Sequence, residues 1–157
     1  MISIRPLTAA DHAGVAALLE EMQAYYRAAC PNAESILNGL RNIPSGVEIL
    51  VADAGAIVGF AAFAAIYPGP GLAAGFFLKE LFVSAPFRSS GIGRRLLQGV
   101  AQIAVERGYG RVDWTADGKN QQLLAYYEGL GASPMAEKVF FRLEGEALAS
   151  LGDSGRS

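Results

Sequence analysis

From Ala54 to Leu78 the chain carries no charged residue, and the run ends only at Lys79. A stretch of that length either spans a bilayer as a helix or is buried as sheet. Its middle decides between the two. The sequence PGPG at 68–71 puts two prolines and two glycines where a spanning helix needs an unbroken hydrogen-bond ladder, and proline–glycine pairs form turns. The run therefore reads as two strand-length halves folded into a β-hairpin.

The elements around that hairpin follow from periodicity and punctuation. ISIRPL opens as a short strand. Thr8 then stands as an N-cap with Asp11 three residues on, and Val15, Leu18, Leu19, Met22 and Tyr26 keep helical spacing until Pro31 ends the helix. A weaker helix is expected around Ser35 to Leu40, closed by the turn signal at Pro44 to Gly46. VEILVADAGAIVGFAAFAAIY reads as two strands turned at Asp53 to Gly55, with a further strand at Phe76 to Val83 after PGPG. A helix to about Arg107, a strand in RVDWT, a helix from about Asn120 to Leu130 and a closing strand in VFFRL complete the series. The order β-α-α-β-β-β-α-β-α-β describes a mixed α/β sheet, with its parallel part built by the last two helices. One domain over residues 1–145 is expected, followed by a polar tail, 146–157, that frays.

Composition excludes several classes of function. A net charge of -2 and a pI near 5.4 supply no basic field to gather nucleic acid or an anionic membrane surface. One cysteine, Cys30, and one histidine, His12, cannot make an intrachain disulfide or a Cys/His metal cluster, so no metal is expected. Cys30 reads as a small buried hydrophobe and His12 as a surface residue. The opening MISIRPLTAAD lacks the basic start and apolar stretch of a signal peptide, which together with the lone cysteine points to a cytoplasmic protein.

One stretch carries chemistry. FRSSGIGRR, residues 87–95, lies between the apolar LKELFV and the helical LLQGVAQIAVERG. A strand-to-helix turn of this kind aims backbone N–H groups and the positive end of a helix dipole at one point, where an anion binds. Gly91 and Gly93 let the backbone approach a diphosphate, and Arg88 and Arg94 can add charge-assisted bonds. The pattern is not a Walker A loop, because Arg94 and Arg95 stand where a Lys followed by Ser or Thr is required. Nor is it a dinucleotide fingerprint, because Leu96 replaces the third glycine and three strands come first.

The run LKELFVSAPFRSSGIGRRLLQGVAQIA, followed by NQQLLAYYEGLGA, resembles the acetyl-CoA core of the GNAT superfamily of N-acetyltransferases, and the resemblance extends over about Ile2 to Leu143. Within the superfamily it is nearest to the diamine and thialysine acetyltransferases. The resemblance implies an acetyl-CoA acyltransferase fold, acetyl-CoA as acetyl donor and a small-molecule amine as acceptor. It puts Phe82, Val83, Arg88, Ser89, Ser90, Gly91, Ile92, Gly93, Arg94 and Asn120 along the cofactor, and Tyr25, Tyr26 and Lys79 beside the amine.

Acyl transfer to an amine needs a neutral amine, a stabilised oxyanion and an acid for the departing thiolate. An alkylamine of pKa ~10.4 is neutral in only about one molecule per thousand at pH 7, so a base must assist. Glu80 is the candidate base, directly or through water, although a strand carboxylate paired with a lysine or arginine is the plainer reading. The N–H of Val83 or a neighbour is the expected oxyanion donor. For the acid, Tyr127 is preferred to a core-packing role: seven residues is nearly two helical turns, placing Asn120 and Tyr127 on one face about 10 Å apart. Tyr126 points about 100° away and is expected to pack.

The resemblance breaks at three substrate positions. Tyr26 and Lys79 fall where acidic residues are expected in the diamine enzymes, and Gly69 where an aspartate is expected. A polycation needs those carboxylates, so spermidine and spermine are expected to be poor acceptors. A smaller amine, or one bearing a carboxylate that Lys79 could meet, fits better. The competing classes are an acyl-CoA sensor or interaction module without turnover, and an enzyme acetylating a protein N-terminus or lysine. The apolar hairpin is also available to a homodimer interface.

Overall fold

The computed structural model describes residues 1–153 and 155. The chain divides into two compact units, Met1–Thr115 and Ala116–Ser157, each described by itself.

The first unit is built on a five-stranded mixed sheet: β1 Ser3–Pro6, β2 Val47–Asp53, β3 Ile57–Ile66, β4 Gly75–Val83 and β5 Val112–Asp113, side by side in that order. β1 to β4 are antiparallel, while β5 runs parallel to β4 and pairs only at Phe76↔Val112 and Phe77↔Asp113. The uncharged run is thus the β3–β4 hairpin, and no helix among the described residues is long and apolar enough to cross a membrane. Parallel pairing requires a crossover, which α3, Ile92–Glu106, supplies.

Helices α1, His12–Tyr25, and α2, Ala33–Arg41, cover the sheet face opposite α3. Alternation along the strands divides the core accordingly. Val51, Phe60 and Phe82 pack with Val15, Leu18 and Leu40 of the two helices. On the other face, Gly99 of α3 lies so close to the sheet that a Cβ there would stand 2.9 Å from Leu50 Cδ1 and 3.3 Å from Ile4 Cγ2. Fully buried Phe60, Phe63 and Phe76 each contribute roughly 2–3 kcal/mol of apolar burial.

The start of α1 is pinned by charge. Asp11, only 6% exposed, accepts from Arg5 Nη1 and Nη2 at 2.8 Å each, and from Thr8 N–H at 2.8 Å and Thr8 Oγ1 at 3.0 Å. Arg5 also donates to Asp53 at the end of β2. The Arg5 guanidinium, followed by the Thr8 N–H, holds the Asp11 carboxyl well below the usual carboxylate range. The Thr8–Asp11 spacing read from the sequence therefore extends into a link between β1, β2 and α1.

The second unit contains α4, Gln121–Gly129, and α5, Gly145–Leu151. Three sequence expectations are corrected. No strand forms in VFFRL: Val139, Phe140 and Phe141 stand 70%, 64% and 88% exposed in irregular chain. Strong strand propensity does not make a strand without a ladder to join. The segment after Glu144 forms α5 where a fraying tail was expected. Cys30 is exposed, because the chain beyond Tyr26 turns out of the core before α2 begins.

Candidate active site

The site begins with a defect in β4. Ala62 pairs with Glu80 but Phe63 pairs with Leu78, so Lys79 is the extra residue of a β-bulge. A bulge resets the alternation of side chains along the bulged strand. Phe76 packs edge-on against Phe63, whereas Phe82 packs against Phe60 in the α1–α2 core. In a regular strand, residues 76, 78, 80 and 82 would share one face. The bulge turns Glu80 and Phe82 to the α1 side while leaving Phe76 on the other.

The backbone of the same strand presents a second feature. Ser84 N–H donates to Val58 O at 2.9 Å, which fixes the phase of the antiparallel ladder. Phe82 and Glu80 are then hydrogen-bonded partners of β3, and the polar groups of Leu81 and Val83 face away from it. They face the β5 side, beyond the last β5 pair at Phe77. The outward carbonyl of Val83 accepts from Arg88 Nε at 2.8 Å.

Beyond β4 the chain makes a short 3-10 turn, Ala85–Phe87, and enters α3 through Ser89 and Gly91, whose φ angles are 62° and 83°. Successive backbone groups in such left-handed conformations form anion-binding concavities. Gly91 is the N-cap of α3, and a Cβ on it would meet no atom within 4 Å. Buried Ile92 anchors the first turn of the helix in the core, while Gly93 sits behind it and Arg94 is exposed. Ser90 Oγ donates to Phe87 O, closing the turn on itself.

Glu21 holds this loop from the opposite side. Its carboxylate accepts from Ser84 Oγ at 2.7 Å and from Ala85 N–H at 3.3 Å. The sequence reading did not single Glu21 out, although it lies four residues before Tyr25 and so on the same helical face.

Around Glu80 the structure gathers most of the acceptor-side residues. Tyr26 OH donates to Glu80 Oε2 at 3.4 Å, and Lys79 Nζ lies 3.5 Å from Oε1. Tyr25 contacts Tyr26 and Phe82 edge-on, with ring centroids 5.3 and 6.2 Å apart. The Arg88 guanidinium lies over the Tyr25 ring at 4.8 Å and the Phe82 ring at 5.2 Å. Arg88 thus braces the end of β4 and does not extend into the Ser89–Gly91 turn.

In the second unit, Asn120 stands just outside α4 as its N-cap, with Oδ1 accepting from Leu123 N–H at 3.1 Å. It is non-helical, so the shared helical face expected for Asn120 and Tyr127 stops one residue short. Tyr127 is half-buried; burial first, and the neighbouring Tyr126 second, push its phenol up from the ordinary tyrosine value. Tyr126, expected to pack, is exposed, its ring 5.7 Å from that of Tyr127.

The profile of the acetyltransferase (GNAT) family matches residues 15–132, a span that takes in the bulged strand, its outward backbone edge and the glycine turn at the start of α3. The chain belongs to the GNAT family. Among curated GNAT relatives, the L-ornithine N5-acetyltransferase NATA1 of Arabidopsis thaliana is 36% identical over 95 residues, covering 60% of this chain and 42% of that protein. The thialysine N-epsilon-acetyltransferase of Bos taurus is 30% identical over 78 residues, covering 48% of this chain and 46% of that one. The chain spans about half the length of the curated relatives it matches. Among solved structures, an integron cassette protein from the mobile metagenome of V. cholerae superimposes with a TM-score of 0.88 at 30% identity, covering 98% of both chains. The mixed sheet and the β4–α3 connection are therefore those of a GNAT protein.

Proposed function

We propose that this GNAT protein is an N-acetyltransferase that moves an acetyl group from acetyl-CoA to the primary amine of a small molecule, directly and within one ternary complex. One observation carries the reading. The outward N–H groups of Leu81 and Val83 and those of the Ser89–Gly91 turn at the start of α3 form two sets of backbone donors on one β-to-α connection, separated by the internally bonded Ser84, Ala85, Phe87 and Arg88. A ligand with amides at one end and a diphosphate at the other matches those two sets. Acetyl-CoA is such a ligand, and it supplies an acetyl group activated as a thioester.

The residues have separate tasks in this reading. The Ser89–Gly91 backbone, the first turn of α3 through Ile92 and Gly93, and Arg94 hold the diphosphate. The open space at the missing Gly91 Cβ accommodates the approach. Phe82 and Val83 line the acyl end, and Val83 N–H faces the carbonyl oxygen as negative charge develops on it. Glu80 takes the proton of the incoming ammonium, directly or through water. Tyr127 returns a proton to the departing thiolate, and its raised pKa keeps the phenol protonated at neutral pH. Arg88 contacts the diphosphate only if its guanidinium leaves Val83 O and Tyr25.

Residues 1–145 act as one catalytic domain in this proposal, and the family match crosses from one compact unit into the other. The relatives named for ornithine and thialysine make an amino-acid side-chain amine the first acceptor class to try. A cytoplasmic homodimer belongs to the same proposal, supported by the single cysteine and by the exposed apolar residues Val139, Phe140 and Phe141.

The test is calorimetric titration with acetyl-CoA, ATP and NAD separately, followed by thiol release from acetyl-CoA against ornithine, thialysine, spermidine and simple alkylamines. Selective acetyl-CoA binding with amine-dependent thiol release is expected. Binding without release on any amine would replace the proposal with an acyl-CoA sensor, a reading that the Lys79–Glu80 ion pair also accommodates.

A further inference from the structure

Consecutive residues of a regular strand point to opposite faces of the sheet, so Lys79 and Glu80 would ordinarily be kept apart. The bulge removes that separation and brings the Lys79 ammonium to 3.5 Å from Glu80 Oε1. Lys79 is 69% exposed and Glu80 23% exposed. The lysine therefore stands on the solvent side of the carboxylate, on a flexible stem.

The charges around Glu80 are unequal. Lys79 is in contact with it, and Arg88 lies over the neighbouring Tyr25 ring. Glu21 turns its carboxylate to Ser84 Oγ and Ala85 N–H. An amine arriving at Glu80 must share that carboxylate with Lys79 or displace the lysine into solvent. A group a few carbons further along the acceptor then lies within about 8 Å of the Lys79 ammonium, about one screening length at physiological salt.

We infer that Lys79 is a specificity-determining residue, selecting acceptor amines by the charge at their far end: a second ammonium is disfavoured, and a carboxylate is favoured because Lys79 can turn from Glu80 to meet it. This inference rests on the proposed reading of Glu80 as the group that receives the amine. Lys79 needs no part in the bond changes, so its effect falls on acceptor KM more than on kcat.

Three acceptors of matched length isolate the far-end charge: 5-aminopentanoate, n-pentylamine and 1,5-diaminopentane. Thiol release would be measured for the wild-type protein, Lys79→Gln and Lys79→Glu, with circular dichroism to confirm that each is folded. The wild type is expected to give kcat/KM values falling in the order 5-aminopentanoate, n-pentylamine, 1,5-diaminopentane. In Lys79→Gln the ratio of the first to the last should shrink by about fivefold, the scale of one partly exposed ion pair, with the change carried by KM. In Lys79→Glu the order should invert. Equal ratios in the three folded proteins would overturn the inference while leaving the acetyltransferase reading intact. Acetyl-CoA binding without thiol release on any of these acceptors or on ornithine would overturn both.

Discussion

Replacing Asp11 with asparagine removes one negative charge from a buried cluster and changes little in volume. The wild-type carboxylate takes two 2.8 Å bonds from Arg5 and two from Thr8. Asparagine keeps one oxygen and turns an NH2 donor toward groups that are themselves donors. Hydrogen bonds to charged groups are worth about 1.5–3 kcal/mol each. Arg5 is one-third exposed and retains Asp53 as a partner, so the full cost of an orphaned buried charge does not apply, and a loss of about 2 kcal/mol is expected at pH 7. With a urea m-value of about 2 kcal/mol/M, the unfolding midpoint should fall by about 1 M.

The pH dependence gives the sign. Arg5 and Thr8 depress the folded-state pKa of Asp11, so its stabilisation is fully present above the unfolded value near ~3.9 and is lost as pH falls toward the folded value. At pH 3, about 0.9 unit below the unfolded value, the wild type should have lost about 1 kcal/mol of its advantage over Asp11→Asn. Urea unfolding of both proteins at pH 7 and pH 3 measures the difference directly. Equal midpoints at pH 7, or a gap that does not narrow at pH 3, would refute the assignment of Asp11 as a charged clamp.

Four further outcomes are expected at the site. Tyr127→Phe should lower kcat at least about a hundredfold, the lower end of what a positioned acid supplies, with calorimetric acetyl-CoA affinity changed less than twofold. In the wild type, deprotonation of Tyr127 should not reduce kcat below about pH 10, because its pKa is raised, not lowered; a rate profile bent lower by this residue would contradict that. Gly91→Val should weaken acetyl-CoA binding more than tenfold and Gly91→Asn less, since φ of 83° is a genuine outlier for a β-branched residue and tolerable for asparagine; equal affinities would separate the turn from cofactor binding. Glu21→Ala should cost about 1–2 kcal/mol in urea unfolding by releasing Ser84 and Ala85, and should raise the acetyl-CoA Kd severalfold. A variant unchanged in both would show that the Glu21 contact with the loop is incidental.

Much of this architecture was legible because it is local. PGPG splits an uncharged run wherever the run is placed, and the strand, 3-10 turn and helix around FRSSGIGRR follow from residues adjacent in sequence. The boundaries of α2, α3 and α4 each fell within two residues of the expected ones because caps and turn residues mark them, whereas α1 stops at Tyr25, short of the Pro31 expected to end it. The glycine turn was singled out by that local pattern, and Glu80 by the family resemblance that the pattern carries. What eluded the sequence depends on partners distant along the chain. VFFRL has the composition of a strand, yet a strand exists only in a ladder. The seven-residue spacing of Asn120 and Tyr127 assumes both are helical, and Asn120 caps the helix instead.

The sequence alone determined that this chain makes a mixed α/β sheet with a glycine-containing strand-to-helix turn, because hydrophobic period, turn residues and glycine positions act over a few residues. Only the tertiary structure decided that Lys79 is the bulged residue, that Glu80 therefore faces α1, and that Arg88 folds back onto Tyr25 and Val83 O. The register of β4 against β3 sets the first two, and packing against a helix some sixty residues earlier sets the third. A side chain's direction in a sheet is a property of pairing and packing, and neither is written in any short window of the chain.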